Sequence, residues 1–199
     1  MRLGFIGTGN IVSDVVTGII KSKLNYKKII ISPRNKKKAK KLKKTFKKII
    51  IAKNNQEIVD SSDWIFLGVL PKVGEKILPQ LKFKKNQILI SFMSTPNYKK
   101  LKKLINIKLI IIRAIPMPPI RLGKGPIAIF PPNKKVRSFF DKIGETIEIK
   151  NENLSKNKIY LTKAFQRRFR QGLVNGKIDK ECLLISKSLI KTNNYTWYF

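Results

Sequence analysis

The stretch Arg2-Leu3-Gly4-Phe5-Ile6-Gly7-Thr8-Gly9-Asn10-Ile11-Val12 decides how the rest of the chain is read. Its first half is apolar through Leu3, Phe5 and Ile6 and ends in glycines, the pattern of a short buried strand running into a tight turn. From Asn10 onward, Ile11, Val12, Val15, Val16, Ile19 and Ile20 recur at spacings of three and four, which places one apolar stripe on a helix over residues 10–23. Gly7 allows the turn. Gly9 puts no side chain between the loop and an anion meeting the free N–H groups and positive end of that helix. Strand, G-x-G and helix in this order form a loop of the pyrophosphate-binding type, with Val12 where Gly or Ala is usual at the third small position. Gly7, Thr8, Gly9, Asn10 and Ile11 are the predicted cofactor-binding residues of this loop.

Working outward, strands are predicted at residues 29–32, 49–52, 64–69, 88–92, 109–113 and 127–130, with a last short one ending at Ile149. Helices are predicted between them at 36–48, 56–60, 73–81, 97–104 and 134–143. The fourth strand, Trp64-Ile65-Phe66-Leu67-Gly68-Val69, is apolar apart from its glycine, as a strand covered on both faces should be. Strands alternating with helices at this spacing pair in parallel through right-handed crossovers. The expected fold is therefore α/β, a doubly wound, mostly parallel, Rossmann-like sheet over residues 1–150. Residues 151–199 are expected to form a short helical or disordered tail.

The second strand selects the nucleotide. A site for NAD wants an acid at that strand's end to grip the ribose hydroxyls. Here the segment is Ile31-Ser32-Pro33-Arg34-Asn35-Lys36, without an acid. Ser32 and Asn35 can donate hydrogen bonds, and Arg34 can stack on adenine or fork onto a 2′-phosphate. NADP, as NADPH in preference to NADH, is the expected cofactor.

Composition narrows the chemistry. The 199 residues include one cysteine, Cys182, and no histidine, which excludes intrachain disulfides, imidazole metal sites and histidine acid–base catalysis; no metal site is expected. Absence of a signal-peptide pattern or a long apolar run leads to the expectation of a reducing, cytoplasmic setting with no membrane contact. There are 44 basic and 11 acidic residues, a net charge of +33. That field attracts polyanions non-specifically, although lysines spread along the whole chain also fit a simple compositional bias.

An ordered set of segments resembles the pyrroline-5-carboxylate reductase family. Gly4-Phe5-Ile6-Gly7-Thr8-Gly9-Asn10 is similar to its opening, and Asn55-Gln56-Glu57 to the segment whose Asn touches the cofactor ribose. Gly68-Val69-Leu70-Pro71 stands for its Ala-Val-Lys-Pro, which borders the adenosine, and Ser91-Phe92-Met93-Ser94-Thr95 for a strand end. Arg113-Ala114-Ile115-Pro116-Met117-Pro118-Pro119, with Gly123-Lys124-Gly125-Pro126, resembles its Arg-x-Met-Pro-Asn-x-Pro and following glycine turn. The resemblance implies further cofactor contacts at Asn55, Val69, Leu70 and Pro71. It also implies reduction of a small cyclic imine to proline by hydride transfer, in a homodimer. Leu70 and Met117 replace a lysine and an asparagine of the family pattern.

The family's dimerising helical domain, with its small-Gly-small-Gly-Pro-Ala sequence and later Thr, has no clear counterpart after residue 150, so the tail reads as a remnant of it. Leu161-Thr162-Lys163-Ala164-Phe165 stands where that sequence should begin, making Thr162 the one candidate for substrate contact; no catalytic residue is otherwise assigned. The change of texture there also fits a diverged or frame-shifted stretch. Phe165, Arg167, Arg168, Phe169 and Arg170 interleave cations with aromatics, a pattern that can serve RNA. Three functions are thus compatible with the sequence: an NADPH-dependent imine reductase, an NADP-binding remnant without turnover, and a basic nucleic-acid-associated protein.

Overall fold

The computed structural model describes residues 1–150 and Glu152. Among these residues eight strands form one sheet: β1 (Arg2–Ile6), β2 (Lys28–Ile31), β3 (Ile49–Ile51), β4 (Trp64–Leu67), β5 (Ile88–Ser91), β6 (Ile110–Pro116), β7 (Gly125–Phe130) and β8 (Gly144–Glu148). Their spatial order is β3-β2-β1-β4-β5-β6-β7-β8. The helices are α1 (Asn10–Lys21), α2 (Lys36–Thr45), α3 (Asn55–Asp60), α4 (Pro71–Ile77), α5 (Tyr98–Lys103) and α6 (Lys134–Phe140). Every strand and helix expected over residues 1–150 is present, within a few residues at the ends.

Period-two alternation sorts each central strand onto two cores. Leu3, Phe5, Ile29, Ile31, Trp64, Phe66, Ile88, Ile90 and Ile112 share one cluster with α1, Ala39 and Leu42 of α2, and Val136, Phe139 and Phe140 of α6. Ile6, Ile30, Ile65, Leu67, Leu89 and Ile111 face the other, with Ile58 and Val59 of α3 and Leu101 of α5. Burial on both faces explains why these strands read as unbroken apolar runs. Phe5 and Phe66 stack across the β1–β4 pair at 4.5 Å between ring centroids, fixing its register at the centre of the sheet.

Pairing is parallel from β3 through to β6. The exception is β7, which runs antiparallel to β6, with β8 parallel to β7. A parallel crossover needs a dozen or more residues. The eight-residue link between Pro116 and Gly125 holds only a 3₁₀ segment, Pro118–Leu122, so the chain must turn straight back. That segment packs on α1 because Gly18 has no side chain: a Cβ there would lie 2.4 Å from the Ile120 carbonyl oxygen. The order reverses beside β1, where β2 leaves to one side and β4 pairs on the other. The crevice at this switch point, beyond the carboxyl ends of the strands, is where the fold offers a ligand site.

Candidate functional site

Four loops meet at that crevice. Ladder bonds continue past the strand ends, from Ser32 N–H to the Phe5 carbonyl (2.9 Å), Gly68 N–H to Ile6 (2.9 Å) and Phe92 N–H to Leu67 (2.9 Å). Gly7, Ser32, Gly68 and Phe92 therefore line one edge of the sheet.

The two glycines of the first loop differ in kind. Gly7 has φ +100°, and a Cβ there would lie 2.3 Å from the Gly68 carbonyl oxygen, so backbone strain and packing both require glycine. Gly9 has φ −71°, open to any residue, and a Cβ on it would meet only the Gly68 oxygen at 4.0 Å. Nothing in the described fold needs glycine at residue 9. An open cradle remains at the N-terminus of α1.

The N-terminus of α1 has no side-chain cap. Asn35, Asn54, Asn97 and Asn133 cap α2, α3, α5 and α6 through side-chain oxygens, whereas Gly9 of α1 and Leu70 of α4 give no side-chain cap and neither of those helices has an acid in its first turn. The Thr8 hydroxyl, in a residue 3 % exposed, makes no hydrogen bond among the described residues. Such a group is expensive to leave unsatisfied. An open cradle, a helix N-terminus without a side-chain cap and an orphan hydroxyl suit a diphosphate.

Val12, the departure from the usual small residue, is accommodated by a neighbour. A Cβ at Gly68 would fall 2.2 Å from Val12 Cγ2, so the missing side chain at residue 68 makes room for the extra methyls at residue 12.

At the end of β2, the buried Ser32 hydroxyl donates to Asn55 Oδ1 (3.3 Å), tying this strand to the start of α3. Arg34 N–H approaches Ser32 Oγ at 3.5 Å. The Arg34 side chain is exposed and has no hydrogen bond or ion pair among the described residues. Asn35 Oδ1 accepts from Lys38 N–H (3.1 Å) as the cap of α2. Beyond β4, Val69 is half-buried, Leu70 is 75 % exposed and Pro71 opens α4. Ile11 is partly buried against the α1 core. The structure thus gathers Gly7, Thr8, Gly9, Asn10, Ile11, Ser32, Arg34, Asn35, Asn55, Val69, Leu70 and Pro71 at the carboxyl edge of β1 to β4. Thr162 and the arginine–aromatic cluster lie outside the described residues.

Sequence reasoning missed two features. Lys38, one of a run of lysines, donates from its ammonium to Asn10 Oδ1 across the mouth of the crevice, a contact that no spacing announces. Arg113, 6 % exposed, donates to the Ser94 carbonyl and to the Glu152 carboxylate, which also accepts from Tyr98 N–H at 2.7 Å. That pair fastens the chain leaving β8 against β6 and α5. Other concavities, one bounded by Lys124, Asp141 and Glu145 and one by Tyr98, Ile110 and Pro131, contain none of the predicted residues.

A family model described as NADP oxidoreductase coenzyme F420-dependent matches residues 2–95. Pyrroline-5-carboxylate reductase 3 of Danio rerio is 30% identical over 132 residues, covering 65% of this chain and 45% of the relative. Pyrroline-5-carboxylate reductase of Aquifex aeolicus is 29% identical over 129 residues, covering 65% and 47%. A solved Plasmodium falciparum pyrroline carboxylate reductase with NADP bound shares the fold at TM-score 0.69 and 21% identity, over 98% of this chain and 76% of that one. Fold and crevice define the class: a dinucleotide-binding domain of the NAD(P)-dependent oxidoreductases. Within that class, the chain is similar to the pyrroline-5-carboxylate reductases over about two thirds of its length. It spans about half the length of the curated relatives it matches. Among the described residues, no helix is long and apolar enough to cross a membrane.

Proposed function

We propose that the chain binds NADPH in preference to NADH and serves reduction of a small cyclic imine, of the 1-pyrroline-5-carboxylate kind, to the corresponding amine, proline. The observation that carries the cofactor reading is the space at Gly9, which neither backbone geometry nor packing explains and a diphosphate would fill. When bound, the nicotinamide supplies a hydride to the carbon of a protonated imine, the C=N electron pair passing to nitrogen. The amides of the Gly7–Asn10 loop hold the diphosphate, and the Thr8 hydroxyl is placed to share in that. Ser32 and Asn55, fixed on each other, position the adenosine ribose, while Arg34 meets its 2′-phosphate. The mostly apolar segment Val69-Leu70-Pro71 borders the cofactor. A protonated imine is already electrophilic, so the protein's task is orientation, which can lower a barrier by about 7–11 kcal/mol. The lack of histidine is compatible with this chemistry. Residues that hold the substrate carboxylate come from beyond residue 150, with Thr162 a candidate, and from a second copy of the chain.

The test is the decay of NADPH absorbance with 1-pyrroline-5-carboxylate, alongside calorimetric titration of NADPH and NADH. Turnover with tighter NADPH binding, and loss of that preference in Arg34→Glu, is expected. Tight NADPH binding without turnover would reduce the function to a nucleotide-binding one. Equal affinity for the two nucleotides would remove the 2′-phosphate assignment.

A further inference from the structure

Lys38 differs from the lysines around it. Lys36, Lys37 and Lys40 are exposed, whereas Lys38 is half-buried and its ammonium is turned onto Asn10 Oδ1, a residue 28 positions earlier in the chain. Asn10 is the first residue of α1, and Lys38 lies in the first turn of α2, so the side chain spans the crevice from the β2 side to the phosphate loop. Lys38 forms no ion pair among the described residues. A neutral amide oxygen is a weak partner for an ammonium with three donors.

The surroundings lack negative charge. Neither α1 nor α2 has an acid in its first turn, and α2 begins Lys36-Lys37-Lys38, with charges that oppose its macrodipole. The exposed Arg34 guanidinium is available on the same side. Two positive helix ends, an arginine and a lysine therefore border one opening that contains no carboxylate from these turns. The missing component of this electrostatic arrangement is an anion.

Resting on the NADPH reading above, we propose that Lys38 is a specificity residue for the cofactor's 2′-phosphate. Asn10 holds it over the crevice until that phosphate displaces the amide. The 2′-phosphate is favoured over the diphosphate by origin. Lys38 arises from the helix after β2, whose entry flanks the ribose 2′ position in this fold, while α1 supplies N–H groups to the diphosphate. Arg34 and Lys38 then grip one phosphate from two sides, the arginine by its planar fork and the lysine as a point charge.

The experiment titrates NADPH and NADH into the full chain, the Lys38→Met variant and the Lys38→Arg variant at one physiological salt concentration. Loss of a charge-assisted hydrogen bond should raise the NADPH Kd about tenfold in Lys38→Met. NADH affinity should stay within about twofold, and Lys38→Arg should recover most of the loss. Equal weakening of both nucleotides in Lys38→Met would assign the lysine to the diphosphate and overturn the proposal. Unchanged NADPH affinity beside a wild-type chain that prefers NADPH would overturn it too, with the cofactor reading intact. A wild-type chain that binds neither nucleotide removes both.

Discussion

Replacing Gly68 with alanine tests whether Val12 and Gly68 form a matched pair. The new Cβ would lie 2.2 Å from Val12 Cγ2 and 3.5 Å from a Phe92 ring carbon. Val12 is fully buried on α1, and a helical valine has essentially one χ1 rotamer, so the methyl cannot swing aside. Overpacking of this kind costs about 1–3 kcal/mol. The φ of Gly68 is not in the positive region, so alanine is permitted there and recovers about 0.4–1 kcal/mol through the unfolded chain. The net expectation is a loss of about 1–2 kcal/mol, or a Tm lower by about 2–8 °C for a chain of this size. Val12→Ala alone loses two buried methyls, about 1.6 kcal/mol before any cavity term. In the double variant the alanine methyl at residue 68 enters the space vacated at residue 12. Urea unfolding of the four proteins should show the double variant more stable than the sum of the singles by about 1–2 kcal/mol. Additivity within about 0.5 kcal/mol would refute the pairing.

Three further outcomes follow from the same geometry. Arg2 grips the Asp63 carboxylate from its backbone N–H (2.7 Å) and side chain (2.5 and 3.1 Å), and this side-chain hydrogen bonding holds the Asp63 pKa below its usual value. A depressed carboxylate gives stability that is present above about pH 4 and lost as pH falls through the folded value; Asp63→Asn should therefore flatten the acid limb of a stability-against-pH curve. Removing the acid that faces the buried Arg113 in Glu152→Ala should cost about 1.5–3 kcal/mol, read by denaturant unfolding, because the guanidinium then loses its only carboxylate among the described residues. Gly7→Ala should be far more damaging to folding than Gly9→Ala, by thermal unfolding, since only Gly7 combines positive φ with a 2.3 Å backbone approach.

Much of this architecture is legible in the sequence because its causes are local. Strands such as Ile29-Ile30-Ile31 and Trp64-Ile65-Phe66-Leu67 are continuous apolar runs since both faces are covered, and α1 announces itself by its stripe from Ile11 to Ile20. The direction of β7 is less visible. No helix is predicted between residues 113 and 127, and the short 3₁₀ link after Pro116 turns the strand back. Side-chain pairings are less visible still. Val12 reads as a departure from a motif until Gly68, 56 positions further along the chain, is seen against it. Lys38 is one lysine in a helix of many, and its contact with Asn10 depends on how α1 and α2 sit around β1 and β2. Arg113 stands out in an apolar strand, but its partner Glu152 lies 39 residues on, where no periodicity points to it.

The central claim is that the opening in front of Gly9 is shaped for a nucleotide's diphosphate, and Gly9→Ser separates that from folding. Serine is a strong N-cap and meets no protein atom closer than the Gly68 oxygen at 4.0 Å from its Cβ, so thermal unfolding should show a chain as stable as the parent or slightly more so. Titration of NADPH into the same sample should show affinity reduced by about tenfold or more, since the side chain stands where the phosphates must approach. A Gly9→Ser protein that is folded and binds NADPH as tightly as the parent would contradict the account.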